Sequence, residues 1–493
     1  MNNDTTSATS YKISPIQIGT IHFVGIGGIG MGGMAQILFK LGYNIQGSDS
    51  SPSFVTQQLQ DLGIKVYIGH DSKNIENVNL LVKSTAIKDS NPELIAAKQL
   101  NITIVKRGEM LAEIMRLKHC IVVSGTHGKT TTTSLIGMLL NTANLCPTLI
   151  NGGIINSIGT NARLGTGEYL VAEGDESDGT FLRLPGFVKV ITNIDPEHLD
   201  YYGSFENVIT AYLQFIETLP FYGSAILCYD HEQVYRLGTK VVDRSIISYG
   251  IHNGDVDIKG FNIRETESGV IFDVSISRTL QERLKLDFDI IQNITTNIYG
   301  LHNVQNAMAA IAVGLKLSLS PNLIQKAFEN FQGVKRRFTR VGMVDDIIII
   351  DDYAHHPAEI IATLQAAKHL ARISQGKVIA VMQPHRYSRL QQLMYDFSHC
   401  FKDADHIYIL NVYAAGEEPI HGVDSRTLVE FIQTNAKQGA HLIDTPEENL
   451  ATTINSVAEP GDIVIFLGAG NITTFAHALP DLLMKLRNHL ERG

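Results

Sequence analysis

The chain has 493 residues, 44% of them hydrophobic and 18% charged, enough for about three domains with sizeable cores. A formal net charge of −10, with no long basic run, argues against a general nucleic-acid binder. Cys120, Cys146, Cys228 and Cys400 are too dispersed for a disulfide framework or zinc site and fit a reduced compartment; no apolar run approaches the ~18 residues of a membrane span.

Residues 1–17 are polar, lack the apolar stretch of a secretion signal, and read as a flexible tail on a cytoplasmic protein. From Thr20 short apolar runs alternate with helical patterns, the rhythm of a parallel, doubly wound sheet. Residues 21–24 are a strand and 34–41 helical. Residues 64–68, 80–82 and 102–105 are further strands, and the helical stretch 107–116 leads to a boundary near Lys118. Directly after the first strand comes Gly25-Ile-Gly27-Gly28-Ile-Gly30, with Asp49 ~20 residues on, where a dinucleotide site meets a ribose. Alone this reads as an NAD site. The safer reading is a diphosphate-containing ligand on a helix N-terminus, set against a purely structural Gly turn.

Residues 121–133, IVVSGTHGKTTTT, organise the middle of the chain. A β-branched run gives a buried strand, Gly125-Thr-His-Gly128 a tight turn, and Lys129-Thr130 the start of a helix. Backbone N–H groups there face an anion, the lysine adds a point charge, and a hydroxyl can ligate magnesium. Two residues lie between the glycines rather than the usual four. Residues 169–172 and 188–192 are strands ending in EGDESD and NIDPEHLD. Carboxylates at strand ends lie where ligands bind, and beside a phosphate cradle they suit magnesium. Glu173 and His198 on neighbouring loops could share a metal, although a lone histidine is more often structural. Residues 225–228 form another strand, and 240–295 read as a small antiparallel sheet. In GLHNVQN, Asn303 and Asn306 share a helix face; carboxamides suit an adenine edge, but Asn is also an ordinary helix cap, and on the residues alone the cap reading wins for Asn303.

Residues 333–340 resemble a hinge. Beyond it, residues 347–350 form a buried strand and Pro357 opens a helix; 378–382, 407–410 and 463–467 are further strands, giving a second doubly wound unit. Asp351, Asp352, Tyr353, His355 and His356 follow its first strand; His385, Arg386 and Arg389 follow the next. Both loops project from one sheet edge, and arginine forks match carboxylate or phosphate geometry.

Jointly these motifs are specific. HFVGIGGIGM, RGEMLAEIMR, GTHGKTTT, EGDESDGTF, TNIDPEHLD, GLHNVQNAMAA, GVKRRF, DDYAHHP, QPHRYSR and the GAG at Gly468 make the chain, from about residue 18 on, resemble the Mur ligase family of peptidoglycan synthesis, in its alanine-adding branch. The resemblance implies an α/β chain of three domains. They are a Rossmann-like UDP-sugar-binding domain over 18–117, a central P-loop ATPase domain with an added small β-sheet over 118–333, and a Rossmann-like amino-acid-binding domain over 334–493. It replaces the NAD reading. Gly25, Gly27, Gly28 and Gly30 would meet the diphosphate of UDP, with Asp49, His70, Ser84 and Arg107 as neighbours. ATP would meet Gly125, Thr126, His127, Gly128, Lys129, Thr130 and Thr131, with Asn303 and Asn306 on the adenine side, Arg337 at the transferred phosphate, and Asp351. Thr130, Glu173 and His198 resemble ligands of Mg2+. Lys129, Glu173, His198 and Arg337 make up the implied catalytic set. Tyr353, His355, His385, Arg386 and Arg389 resemble the residues gathering around the incoming amino acid.

The implied reaction is ATP-dependent amide formation between L-alanine and the lactyl carboxylate of UDP-N-acetylmuramate through an acyl phosphate. The expected protein is a monomer or weak homodimer with no nucleic-acid or membrane partner. A ligase recycling murein tripeptide onto the same UDP-sugar is the nearest rival. An NAD-dependent oxidoreductase leaves GTHGKT and the late His/Arg loops unexplained, and a non-catalytic ATP-driven switch leaves the UDP-sugar and amino-acid loops without purpose. Two departures from the family stand out: no lysine between Lys189 and Lys240, where several relatives carry a carboxylated one, and Asn471 after GAG, where relatives often have Asp.

Overall fold

Runs of β-branched and apolar residues become strands in three sheets, each drawn from one contiguous stretch of chain. The computed structural model describes residues 18–490 except 85, 117, 157 and 158. The tail expected over 1–17 lies outside the described residues.

The first sheet contains β1 (Thr20–Val24), β2 (Asn44–Asp49), β3 (Lys65–Ile68), β4 (Leu80–Lys83) and β5 (Thr103–Lys106), all parallel, in the order β3-β2-β1-β4-β5. Strand order reverses at β1, so a crevice opens at its carboxyl end. The Gly turn fills that position and leads into the helix Ile29–Lys40. Gly25 has φ +83°, a conformation costly for any other residue.

The second sheet contains β6 (His119–Ser124), β7 (Thr148–Ile155), β8 (Thr160–Arg163), β9 (Tyr169–Glu173), β10 (Val188–Ile191), β11 (Ser224–Cys228), β12 (Ser245–Gly250), β13 (Ile258–Thr266), β14 (Gly269–Ile276) and β15 (Ile290–Thr296). Their order is β15-β14-β13-β12-β11-β10-β6-β9-β7-β8. β6 lies between β9 and β10, parallel to both, so the loops after all three open side by side. The antiparallel strands expected within 240–295 are β13, β14 and β15. They do not stand apart: β12 pairs in parallel with both β11 and β13, which continues one sheet and covers an edge that would otherwise expose unpaired backbone groups.

The third sheet contains β16 (Thr339–Val344), β17 (Ile347–Asp352), β18 (Val378–Met382), β19 (His406–Leu410), β20 (Ala440–Ile443) and β21 (Ile463–Leu467) in the order β16-β17-β21-β18-β19-β20. Only β16 runs antiparallel. β21 lies between β17 and β18, so DDYAHHP, QPHRYSR and GAG end adjacent strands.

Two helices seat the centre. Lys129–Thr142 follows the cradle, and Leu301–Lys316 packs against it. Twelve of the 16 residues of the second are buried, and Ala307, Ala309, Ala310, Ala312 and Gly314 keep it slim enough to lie close. A β-carbon on Gly314 would come within 2.9 Å of Leu139 Cδ2. The units also touch through polar contacts. Asn161 donates to the Ile29 carbonyl at 2.7 Å, and Arg107 pairs with Asp175 at 2.6 Å.

Candidate active site

The Gly125 turn is held from β10. Thr126 Oγ1 accepts from the Asp195 N–H at 2.8 Å, and Asn193 Oδ1 accepts from the His127 N–H at 2.7 Å. Gly128 adopts φ +84°, and a β-carbon there would strike Asn306 Oδ1 at 2.5 Å. Asn306 Nδ2 in turn donates to Asn303 Oδ1 at 3.0 Å, so the two carboxamides expected to share a face do so. Neither caps its helix, which starts after Gly300.

Lys129 Nζ donates to the Gly125 and Thr126 carbonyls and faces Glu176 Oε1 at 2.9 Å. Burial pushes its pKa down, but Glu176 and Asp175 outweigh that and hold it above the ordinary lysine value. Burial pushes the Glu176 carboxyl up to about 7, against the pull of Lys129.

The structure divides the sequence-derived metal set. Glu173 accepts from the Gly152 N–H at 2.7 Å, with Thr130 beside it. His198 instead approaches Glu197 at 3.7 Å and Glu176 at 4.0 Å. Glu176, Glu197 and His198 each bring a ligand atom within 4.8 Å of the others. Glu176 Oε2 is buried without a hydrogen-bond partner among the described residues. An orphaned carboxylate oxygen beside a second carboxylate, with the Thr130–Glu173 pair across Lys129, is a donor set that fits a hard cation.

A cleft with a cavity of about 250 Å³ opens between the second and third sheets. His127, Gly128, Thr131, Asn303, Asn306 and Arg337 line it, as does His302, whose pKa burial pushes down to about 4. Asp351 does not line it. Successive strand residues face opposite ways, so Asp351 points away, where Thr473 donates to it at 2.6 Å, and Asp352 lines the cleft instead. Asp352 accepts from the Phe338 and Ala354 N–H groups, and burial pushes its carboxyl up to about 6. Cys228 also reaches the wall, its thiol pushed up to about 12 by burial.

Sequence reading missed several groups here. Glu359 closes a capping box on the Pro357–Ile373 helix and also accepts from His127 at 3.2 Å across the cleft. Asp195 faces the other nitrogen of His127 at 3.4 Å and His231 at 3.3 Å. Only the capping-box spacing of His356 and Glu359 gave a signal, and it has a complete local explanation.

The late His/Arg loops converge. Rings of Tyr353 and His355 lie 5.2 Å apart, His355 and His385 5.9 Å, and His385 stacks on Tyr413 at 5.5 Å. Arg389 lies in the helix Tyr387–His399 and reaches His385 at 3.4 Å, Arg386 holds φ +72° at the start of that helix, and the Arg337 guanidinium lies 5.2 Å over Tyr353. Asn471 accepts from Gln383 at 2.9 Å, a bond an aspartate could accept equally well.

In the first unit Gly27 N–H donates to Asp49 Oδ2 at 2.8 Å. A β-carbon on Gly25 would meet Ser84 at 3.2 Å, and one on Gly30 would meet Arg107 at 3.2 Å. Gly28 caps the Ile29–Lys40 helix. His70 is bonded to Ser48 and Glu93.

Residues 20–119 match the catalytic domain of the Mur ligase family, 123–314 the Mur ligase middle domain, and 336–470 the Mur ligase glutamate ligase domain. A Brucella anthropi protein named UDP-N-acetylmuramate–L-alanine ligase is 50% identical over 94% of this chain and 97% of its own. A Rickettsia felis protein of the same name is 50% identical over 93% and 95%. The solved UDP-N-acetylmuramate-alanine ligase of Thermotoga maritima superposes with a TM-score of 0.77 at 25% identity, covering 95% of this chain and all of its own. A murein peptide ligase from Psychrobacter arcticus shares the fold, with a TM-score of 0.69 at 24% identity over 94% of this chain and 98% of its own.

Proposed function

The chain belongs to the Mur ligase family, and from that premise we propose how its residues carry out the ATP-dependent joining of L-alanine to UDP-N-acetylmuramate. The carrying observation is the convergence on one cleft of the GTHGKT cradle, Asn303 and Asn306, and Arg337 and Asp352 from the third unit. ATP lies in this cleft with its phosphates on the cradle N–H groups and Lys129. Asn303, Asn306 and His302 meet the base, and Asp352 meets the ribose.

The lactyl carboxylate attacks the γ-phosphorus of ATP, the bond to ADP breaks, and an acyl phosphate forms. The alanine amine then adds to the activated carbonyl, loses a proton, and expels inorganic phosphate. Lys129 and Arg337 offset charge on the moving phosphoryl group, an effect that counts for most where water is excluded. Thr130, Glu173, Glu176, Glu197 and His198 would hold Mg2+, which supplies further charge neutralisation at the phosphates when bound. Arg386 and Arg389 take the alanine carboxylate, beside the Tyr353, His355 and His385 rings. Gly25, Gly27, Gly28 and Gly30 carry the UDP diphosphate, with Asp49, His70, Ser84 and Arg107 around it.

In this reading residues 18–117 form the UDP-sugar domain, 118–333 the ATPase domain and 334–493 the amino-acid domain. Among the described residues no helix is long and apolar enough to cross a membrane. The ligase acts in the cytoplasm as a monomer or weak homodimer. The test is phosphate release from ATP with UDP-N-acetylmuramate and a panel of amines. Release is expected with L-alanine and only when both substrates are present. Release with murein tripeptide in place of alanine overturns the assignment.

A further inference from the structure

The first unit buries a carboxylate that the mechanism above does not use. Glu93 opens the helix Pro92–Gln99 and is fully buried. Its Oε2 accepts from Ser48 Oγ at 2.6 Å and faces His70 Nδ1 at 3.2 Å and His22 Nε2 at 3.6 Å. Its Oε1 accepts from Asn74 Nδ2 at 2.7 Å. The four partners come from β1, β2, the loop after β3 and the short helical turn Ser72–Ile75. Burial raises its pKa, but the facing His22 ring and hydrogen bonds from Ser48 and Asn74 win and leave it at about 2. Glu93 is therefore an acceptor only.

The proton inventory fixes His70. The Ser48 hydroxyl has one hydrogen, and the 2.6 Å contact commits it to Glu93. Ser48 Oγ also lies 3.0 Å from His70 Nδ1. With Ser48 spent and Glu93 unprotonated, a lone pair on Nδ1 would face two acceptors. Nδ1 must carry the hydrogen, and the remaining nitrogen, Nε2, is left with a lone pair in the neutral ring. The same hub reaches the Gly turn. The Ser48 carbonyl accepts from the Gly25 and Ile26 N–H groups at 2.8 and 2.9 Å, and Asn74 holds the Gly69 carbonyl next to His70.

We infer that Glu93 is a positioning residue for the UDP-sugar site, locking His70 as its Nδ1–H tautomer so that Nε2 accepts a hydrogen bond from a donor on the uridine, its imide N–H or a ribose hydroxyl. This rests on the reading that His70 borders that site. A ring whose orientation and tautomer are set from behind loses less freedom when the ligand arrives.

The first measurement is the imidazole 15N–1H correlation of His70 in the full-length protein, near pH 8, with UDP-N-acetylmuramate bound. Nδ1–H is expected; an Nε2–H ring overturns the inference whatever any variant does. The second is Glu93→Gln, which cannot accept on both sides of its head group. Its KM for UDP-N-acetylmuramate should rise about tenfold, about 1.4 kcal/mol, while the loss falls on KM rather than kcat and KM for ATP stays put. Equal rises for ATP and UDP-sugar would reduce Glu93 to a structural residue. His70→Ala separates the two ideas. If it leaves KM for the UDP-sugar unchanged, the site reading falls. If it raises KM and Glu93→Gln does not, the positioning role alone falls.

Discussion

Lys129 keeps its charge inside the cradle because Glu176 faces it at 2.9 Å. In Lys129→Ala, ADP formation should fall below detection with all substrates present, since the loss is of a cation aimed at the transferred phosphoryl group; near-normal turnover in a folded variant would remove Lys129 from the reaction. His127 offers a pH signature. Burial pulls its pKa down, but Asp195 and Glu359 carry it to about 10, above the ordinary imidazole value of 6.5. Such a group stabilises fully below about pH 6.5 and loses that contribution as pH climbs through about 10. The melting-temperature advantage of wild type over His127→Gln should therefore be largest near pH 6 and shrink toward pH 10; a pH-independent difference would refute it. At this scale the sequence was only half legible. Of two adjacent aspartates it picked Asp351 for the ATP side, whereas Asp352 lines the cleft, because the choice depends on which face of β17 meets the second unit. Glu359 was hidden for another reason: a glutamate three residues into a helix is fully explained as a cap.

Elements were easier to read than contacts. β1, β6, β17, β18 and β21 are runs of apolar and β-branched residues, and a buried parallel strand demands that pattern. β7 carries Asn151-Gly-Gly and β8 is Thr-Asn-Ala-Arg, so neither shows a strand signal; β7 pairing with β9, β8 pairing with β7, and packing of both against the Ile29–Lys40 helix make them extended. The Leu301–Lys316 helix shows what its small face is for. Gly314→Val places a branched side chain where even a β-carbon sits 2.9 Å from Leu139. Overpacking of this kind costs about 1–3 kcal/mol. The urea midpoint should drop accordingly, and KM for ATP should rise, because the same helix carries Asn303 and Asn306. Lower stability with unchanged KM for ATP would show that the helix bears no part of the nucleotide site.

Across the whole molecule, polar contacts hold the second and third units together beside the cleft. His127 meets Glu359 at 3.2 Å, His356 meets Glu197 at 3.8 Å, and Arg336 donates to the Gly468, Ala469 and Gly470 carbonyls from the segment joining the second and third units. Glu359→Gln removes one charge from this seam without touching the first unit. ATP titrations should weaken about tenfold, the loss of one partly buried charge-assisted bond of roughly 1.5–3 kcal/mol less what the amide retains. Calorimetric binding of UDP-N-acetylmuramate should not change; if it weakens equally, the seam and the first unit are not separate. The three sheets carry one more consequence. Among the described residues their strands fall within 20–106, 119–296 and 339–467, with none lent from one sheet to another. On the ribosome, every strand of the first sheet has been synthesised before the second begins, and every strand of the second before the third. Parallel sheets are slow to pair and expose apolar edges while they wait. Here no nascent sheet has to wait for a strand encoded in a later segment, so vectorial synthesis itself shortens the time each edge is left unpaired.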